Sequence, residues 1–240
     1  MAVSRFLLHH APKSRGFRIL WMLEELGADY AVAPHDLERG TQKTPGFLAI
    51  NPDGKLPALE DRGPDGDWTG VVVTESAAIC AYLADAMPGI LAPAVGIPAR
   101  AAYQTFLAYG AAVLEPALAD QAFPRAAPAP PRALGWPEFP AAVQRVEQQL
   151  AASGGPYLLG QYLSAADLMV GCMLQWVSDW GMLTPSPAIA SYIAALDARP
   201  ALAQARDKEA RLAAFLADGT AIEAFARGQE AAPSTTERNA

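Results

Sequence analysis

Phe6-Leu7-Leu8-His9-His10-Ala11-Pro12-Lys13-Ser14-Arg15-Gly16-Phe17-Arg18-Ile19-Leu20-Trp21-Met22-Leu23-Glu24-Glu25-Leu26-Gly27 reads as a strand, a loop and a helix. The run Phe6 to Leu8 is short and apolar, as a buried strand requires, and His9 to Lys13 with its Pro12 is a natural turn. Ile19, Met22, Leu23 and Leu26 then recur at the i, i+3, i+4, i+7 spacing of one helix face, with Ser14 able to cap the start and Gly27 at the stop. Asp29 to Ala33 gives a second strand with Tyr30 and Val32 on one face. Two strands joined by a helix are parallel and cross over right-handedly, so these elements predict an α/β layer.

Working outward, Thr44 to Ile50 reads as a short helical or irregular segment closed by Asn51-Pro52-Asp53-Gly54, a turn signature in which Gly54 can take positive φ. Leu56 to Glu60 and Val71-Val72-Val73 are two strands joined by the Gly- and Asp-rich stretch 61–70, which predicts a hairpin. Pro57 lacks a ladder N–H and demands a sheet edge or a special backbone position. Thr74-Glu75-Ser76 opens another helix, with Thr74 as N-cap, Glu75 at the positive end of the dipole, Ile79, Tyr82 and Leu83 as the apolar stripe and Pro88-Gly89 as the stop. The order is that of a thioredoxin-like domain, assigned to residues 1–87.

Residues 88–95 have the Pro/Gly character of a linker, and strand signals then vanish. Pro98 to Leu118, Phe139 to Ala152, Ser164 to Trp180 and Pro187 to Leu216 are apolar at helical spacing. Residues 96–217 therefore read as an all-α domain, with 123–140 as an exposed Pro-rich loop and 218–240 as a tail.

Composition narrows the function classes. The 240 residues are 52% hydrophobic and carry 18 Lys+Arg against 25 Asp+Glu, a net charge of -7. No basic run offers the field that a phosphate backbone needs, so no nucleic-acid partner is expected. Cys80 and Cys172 are far apart and sit in apolar periodic stretches, which fits neither a disulfide framework nor a metal cluster and implies a reducing, cytoplasmic compartment. No stretch approaches the ~18 apolar residues of a membrane span, and no signal peptide is expected.

Several motifs carry chemistry. Ser164-Ala165-Ala166-Asp167 has the spacing of a reciprocal helix cap, a structural role with a stability value of ~0.5–2 kcal/mol. Glu75-Ser76 at a helix start offers either simple capping or a carboxylate-binding site of unpaired N–H groups and a hydroxyl. In Gly54-Lys55-Leu56-Pro57-Ala58-Leu59, a cis bond before Pro57 would turn the Leu56 backbone outward to pair with a peptide; a rigid turn into a strand is the plainer alternative. Tyr103, Phe106 and Tyr109 recur along one helix, and Tyr103 and Tyr109 line an apolar pocket or simply belong to the core.

The run Ser14 to Leu26, then Asn51-Pro52-Asp53-Gly54-Lys55-Leu56-Pro57-Ala58-Leu59, then Thr74-Glu75-Ser76-Ala77-Ala78-Ile79, resembles in order and spacing the N-terminal domain of cytosolic glutathione S-transferases. Tyr157-Leu158-Leu159-Gly160 and Leu163 to Asp167 are similar to the start of that family's buried C-terminal-domain helix. The resemblance covers most of residues 5 to 215.

The resemblance implies a homodimeric, metal-free transferase with glutathione as co-substrate and a small hydrophobic electrophile as partner. It implies that the Leu56 backbone beside Pro57 pairs with the cysteinyl part, that Glu75 and Ser76 hold the γ-glutamyl end, and that Lys43 and Lys55 approach the glycine carboxylate or the rim of the site. A free thiol near pKa ~8.5 is mostly protonated at neutral pH, so the site must lower it. The chain departs from the family's patterns here: Ala11 and Pro12 stand where serine-type members carry the activating Ser, and Ser14 stands where bacterial cysteine-type members carry Cys. Ser14 is the first choice as thiolate donor, with a capping role open beside it and with His10 or a backbone N–H of the 14–16 turn as competitors. Other readings on the same scaffold are an isomerase or peroxidase reaction and a non-catalytic glutathione binder.

Overall fold

The computed structural model describes residues 4–130 and 132–218. Among them the chain forms β1 (Phe6–His10), α1 (Phe17–Leu26), β2 (Tyr30–Pro34), a 3-10 turn at Thr41–Lys43, α2 (Pro45–Ile50), β3 (Ala58–Asp61), β4 (Val72–Thr74) and α3 (Ser76–Ala86). The remainder is helical: α4 (Ala99–Tyr109), a π-helical segment Gly110–Leu114, α5 (Glu115–Ala122), α6 (Phe139–Ser153), α7 (Ala165–Asp179), α8 (Pro187–Asp197) and α9 (Pro200–Ala217). Two compact units result, one ending at Ile79 but including α9, the other spanning Cys80 to Arg199.

The first unit holds a four-stranded sheet of order β2-β1-β3-β4. β1 and β2 are parallel, joined through α1, while β3 runs antiparallel to both β1 and β4. This is the expected α/β arrangement. α1 starts at Phe17 with Gly16 as its N-cap residue, and the Ser14 hydroxyl accepts from the Gly16 N–H at 3.2 Å instead of capping the helix. Gly27 closes α1 in the left-handed conformation at φ 59. The residue ahead of α3 is Glu75 rather than Thr74, which is the last residue of β4.

α9 departs from the sequence expectation. Residues 96–217 read as one helical domain, yet α9 packs along α1 and groups with the sheet unit. Lys208 Nζ donates to Glu24 Oε1 at 2.6 Å and to the Tyr30 hydroxyl at 3.1 Å, and Tyr30 in turn donates to Glu24. Burial and the Glu24 carboxylate both push the Tyr30 phenol up, so it stays a neutral donor.

In the helical unit α4, the π-helical segment and α5 are contiguous, where the sequence predicts one helix over Pro98 to Leu118. Pro116 has no N–H to close the preceding turn, and the backbone widens there to a π register. Gly110 faces α7 so closely that a Cβ would lie 3.0 Å from Met169 Cβ. The Ser164–Asp167 cap forms as predicted at the start of α7, and the buried Asp167 carboxylate accepts from Ser164 N, Ser164 Oγ and Leu158 N, each at 2.8 Å, and from the Tyr192 hydroxyl at 3.1 Å. Cys80 and Cys172 are buried.

Replacing Asp167 by Ala strips these buried donors of their acceptor. The expected loss is roughly 2–4 kcal/mol in urea unfolding, above the value of an exposed cap, because each orphaned buried donor keeps its desolvation penalty.

Candidate functional site

The sheet register sets where the candidate residues meet. His9 pairs with Ala58, and Ala58 pairs with Thr74. The C-terminal end of β1, the N-terminal end of β3 and the C-terminal end of β4 therefore share one end of the sheet. The loop carrying Ser14, the segment Leu56-Pro57 and the pair Glu75-Ser76 all leave from that end.

The first piece is the loop 11–16. Lys13 adopts φ 59, a left-handed conformation that costs a side-chain-bearing residue ~1–2 kcal/mol. Ser14 is half-buried and its Oγ accepts the Gly16 N–H; among the described residues no acceptor takes its own proton. Lys13 and Arg15 are exposed on either side of it. The loop leads directly into the N-terminus of α1, whose unpaired amides and dipole favour a negative charge.

His10 does not face the open end of the sheet. It is completely buried, its Nε2 lies 2.5 Å from Glu209 Oε2, and a Cβ on Gly16 would stand 2.3 Å from its Nδ1. The competing assignment of His10 as the group that touches the thiol is thereby corrected: the ring is packed behind the loop, filled in by Gly16 and held by α9.

The second piece is the approach to β3. The Leu56–Pro57 bond is cis, and β3 is paired on both sides from Ala58 onward. Of the two positions open to Pro57, the chain uses the special backbone one, not the sheet edge. Among the described residues none hydrogen-bonds to the Leu56 main chain. The turn before it is fixed by buried Asn51, whose Nδ2 donates to Lys55 O at 2.9 Å while its Oδ1 accepts from Asp53 N at 3.2 Å.

The third piece is Glu75-Ser76. Glu75 is exposed at φ 67, a strained backbone for a non-glycine residue of the kind that concentrates at functional sites. No described cation pairs with its carboxylate, and Ser76, the first residue of α3, is buried beside it. Lys43 bridges the 3-10 turn to the Asn51–Gly54 turn by donating from Nζ to Asp53 O at 2.8 Å, and Lys55 is exposed.

Comparison with known proteins gives this constellation its family. Residues 5–85 match the family "Glutathione S-transferase, N-terminal domain" and residues 137–209 match "Glutathione S-transferase, C-terminal domain". The chain is 32% identical over 212 residues to the disulfide-bond oxidoreductase YfcG of Escherichia coli (strain K12), covering 82% of this chain and 93% of that protein. The chain belongs to the glutathione S-transferase family. Among solved structures, a glutathione transferase from Methylococcus capsulatus superimposes with a TM-score of 0.69 at 31% identity, covering 85% of this chain and 98% of that one. The transferase URE2P6 from Phanerochaete chrysosporium, solved with oxidized glutathione, gives a TM-score of 0.70 at 25% identity, covering 87% of this chain and 98% of its own.

Within this transferase fold the two tyrosines expected to line an electrophile pocket differ. Tyr103 has no exposed surface, lies under the Arg100 guanidinium at 4.8 Å, and burial pushes its phenol up. It is core, and its assignment to the pocket is corrected: i, i+3, i+6 spacing on α4 turns this residue into the unit's interior. Tyr109 is half-buried and its hydroxyl donates to Ala142 O at 3.2 Å. Among the described residues no cluster of His, Cys, Asp and Glu is arranged to hold a metal, and no helix is long and apolar enough to cross a membrane.

Sequence reasoning missed three residues that shape the site. Gly16 matters for the space it leaves and Asn51 for the amide that pins a turn; the first gave no signal, whereas the second stood at the head of a recognised turn motif. Glu209 lies in the run Asp207-Lys208-Glu209, which has the look of a solvated helix face.

A buried polar cluster supports α2. His9 Nε2 contacts Glu60 Oε1 at 2.7 Å, His9 Nδ1 contacts His35 Nε2 at 3.1 Å, and Phe47 of α2 packs on the His35 ring with centroids 4.5 Å apart. Burial first, then the charge of neighbouring His9, pushes His35 down to about 4 from the ordinary 6.5. The unfolded chain therefore binds a proton here that the folded chain refuses, and stability falls as pH drops from about 6.5 toward 4, by roughly 3 kcal/mol in all. Urea unfolding at about pH 7 and about pH 4.5 is expected to show this loss in wild type and a flatter profile in His35→Gln.

Proposed function

We propose that this chain is a glutathione-dependent enzyme that binds glutathione at the loop-bearing end of its sheet and activates the thiol as a thiolate through Ser14. The observation that carries the reading is the Leu56 main chain, left without a described partner beside cis-Pro57 and at the same sheet end as Glu75-Ser76 and Ser14. The Leu56 N–H and C=O would bond the cysteinyl residue of the tripeptide as an added strand does. Glu75 would take the γ-glutamyl ammonium, while Ser76 and the α3 N-terminus take its carboxylate. Lys43 and Lys55 supply positive charge for the glycine carboxylate.

The thiol is then delivered toward the 14–16 loop. A Ser14 hydroxyl that already accepts the Gly16 N–H is a stronger donor, because hydrogen bonds in series polarise one another. Its bond to the thiolate, the α1 dipole and the flanking Lys13 and Arg15 all favour the charged form. A bond to a charged acceptor is worth ~1.5–3 kcal/mol, which corresponds to a fall of about 1–2 pKa units. The thiolate attacks a small hydrophobic electrophile, forming a carbon–sulfur bond and expelling the leaving group.

A second reading is supported by the similarity to YfcG, a protein named as a disulfide-bond oxidoreductase. On the same site the glutathione thiolate would attack a disulfide, forming a glutathionyl mixed disulfide and releasing the other sulfur as a thiolate. Loop 11–16 carries no Cys, so glutathione itself would be the attacking sulfur.

Thiolate ultraviolet absorbance of bound glutathione, titrated with pH, is expected to give a pKa well below ~8.5 in wild type and a value about 1–2 units higher in Ser14→Ala. Binding with an unshifted pKa would overturn the activation step, and no binding would overturn the reading. Turnover of an activated aryl halide against a small symmetrical disulfide separates the two reactions. The family resemblance also supports a homodimer, which gel filtration would report at twice the 25.3 kDa chain mass.

A further inference from the structure

We infer that Glu209, on the last helix, is the positioning residue that sets the thiol-activating loop. The inference rests on the glutathione reading above and adds a residue to its machinery. One Glu209 oxygen accepts the Lys13 backbone N–H at 2.7 Å, and the other lies 2.5 Å from His10 Nε2. α9 therefore grips the loop 11–16 twice: directly at the residue before Ser14, and through the His10 ring at Gly16, whose missing Cβ is what lets that ring pack against the loop. Gly16 is also the residue whose N–H engages Ser14 Oγ.

The grip has a specific object. Lys13 is held at φ 59, a conformation a non-glycine residue leaves when nothing holds it. A carboxylate accepting its N–H is the charge-assisted kind of bond that can hold it. The Glu209 side chain is 17% exposed and His10 is fully buried, so water replaces the contact poorly. With Lys13 released, the loop relaxes toward ordinary backbone and the adjacent Ser14 hydroxyl turns away from the thiol. Glu209 acts through the loop and touches no reacting atom. The neighbouring tie on α9, Lys208 to Glu24, fastens the same helix to α1 without touching the loop, which makes it the natural control.

The experiment uses the full chain and the variants Glu209→Ala, Glu209→Gln and Lys208→Met, with Glu209→Asp as a fourth. Calorimetry with S-methylglutathione, which has no ionisable thiol, reads the tripeptide subsites alone. Thiolate absorbance of bound glutathione reads activation, and thermal unfolding reads the docking of α9. Glu209→Ala is expected to bind S-methylglutathione within about twofold of wild type while the bound thiol pKa rises by about one unit, a roughly tenfold loss of the thiolate-to-thiol ratio. Glu209→Gln keeps an oxygen for the Lys13 N–H and is expected to recover most of the shift. Lys208→Met is expected to lower the unfolding temperature and leave the thiol pKa alone.

An unchanged thiol pKa in folded Glu209→Ala would overturn the inference and leave the glutathione reading standing. A fall in pKa would overturn it too, since the carboxylate would then act as a charge that opposes the thiolate. An equal rise in Lys208→Met would reduce Glu209 to general helix docking and overturn it. Should Glu209→Ala fail to fold, Glu209→Gln against Glu209→Asp decides: a folded pair with identical thiol pKa values and shortened reach in Asp contradicts the grip. Failure of wild type to bind S-methylglutathione would count against the glutathione reading instead.

Discussion

The antiparallel pairing of β3 with both of its neighbours is the constraint on which the site depends. A parallel βαβ unit alone would bring one strand end and one helix N-terminus together. Because β3 and β4 add to β1 in alternating directions, the end where β1 stops is also where β3 begins and where β4 gives way to α3. Three backbone features with unspent hydrogen-bonding capacity thus meet: the loop before α1, the Leu56 main chain and the start of α3. A peptide carrying carboxylates, an ammonium and a thiol matches that set of donors and acceptors.

Two of the three described non-glycine residues at positive φ gather at the same place, the third being Arg132 in the loop before α6. Lys13 at φ 59 and Glu75 at φ 67 both stand at this sheet end. Each costs backbone energy that the surrounding structure must offset, and the means differ. Lys13 is held by a carboxylate from a helix almost two hundred residues away, while Glu75 is held between a short strand and the helix it precedes. The α9 helix consequently belongs to the sheet unit by hydrogen bonding as well as by packing, since its Lys208 and Glu209 fasten α1 and the loop before it.

The fold was legible in the sequence wherever side-chain period and turn chemistry agreed. Apolar spacing on α1, the Asn51–Gly54 turn, the β3–β4 hairpin and the Ser164–Asp167 cap are all formed in the structure, within a residue or two at their ends. Each is a local property, decided by contacts between residues close in the chain. The misplacements were just as physical. Ser14 looked like a cap because cap residues and turn residues share the same hydroxyl chemistry, and the long first helix of the helical unit hid the widening that Pro116 imposes.

The sequence by itself determined most of the elements, their order and the turn and cap signals of the three segments that meet at one end of the sheet, because periodicity, glycine and proline act over a few residues. Tertiary structure alone decided what each candidate touches. His10 and Ser14 are near neighbours in the chain, yet one is buried behind the loop and the other is half-open with a proton to give. Tyr103 and Tyr109 share a helix, yet only the first is fully enclosed. Glu209 carries no sequence signal at all, since an acidic residue in a charged helical run acquires its meaning only when a distant loop is folded against it.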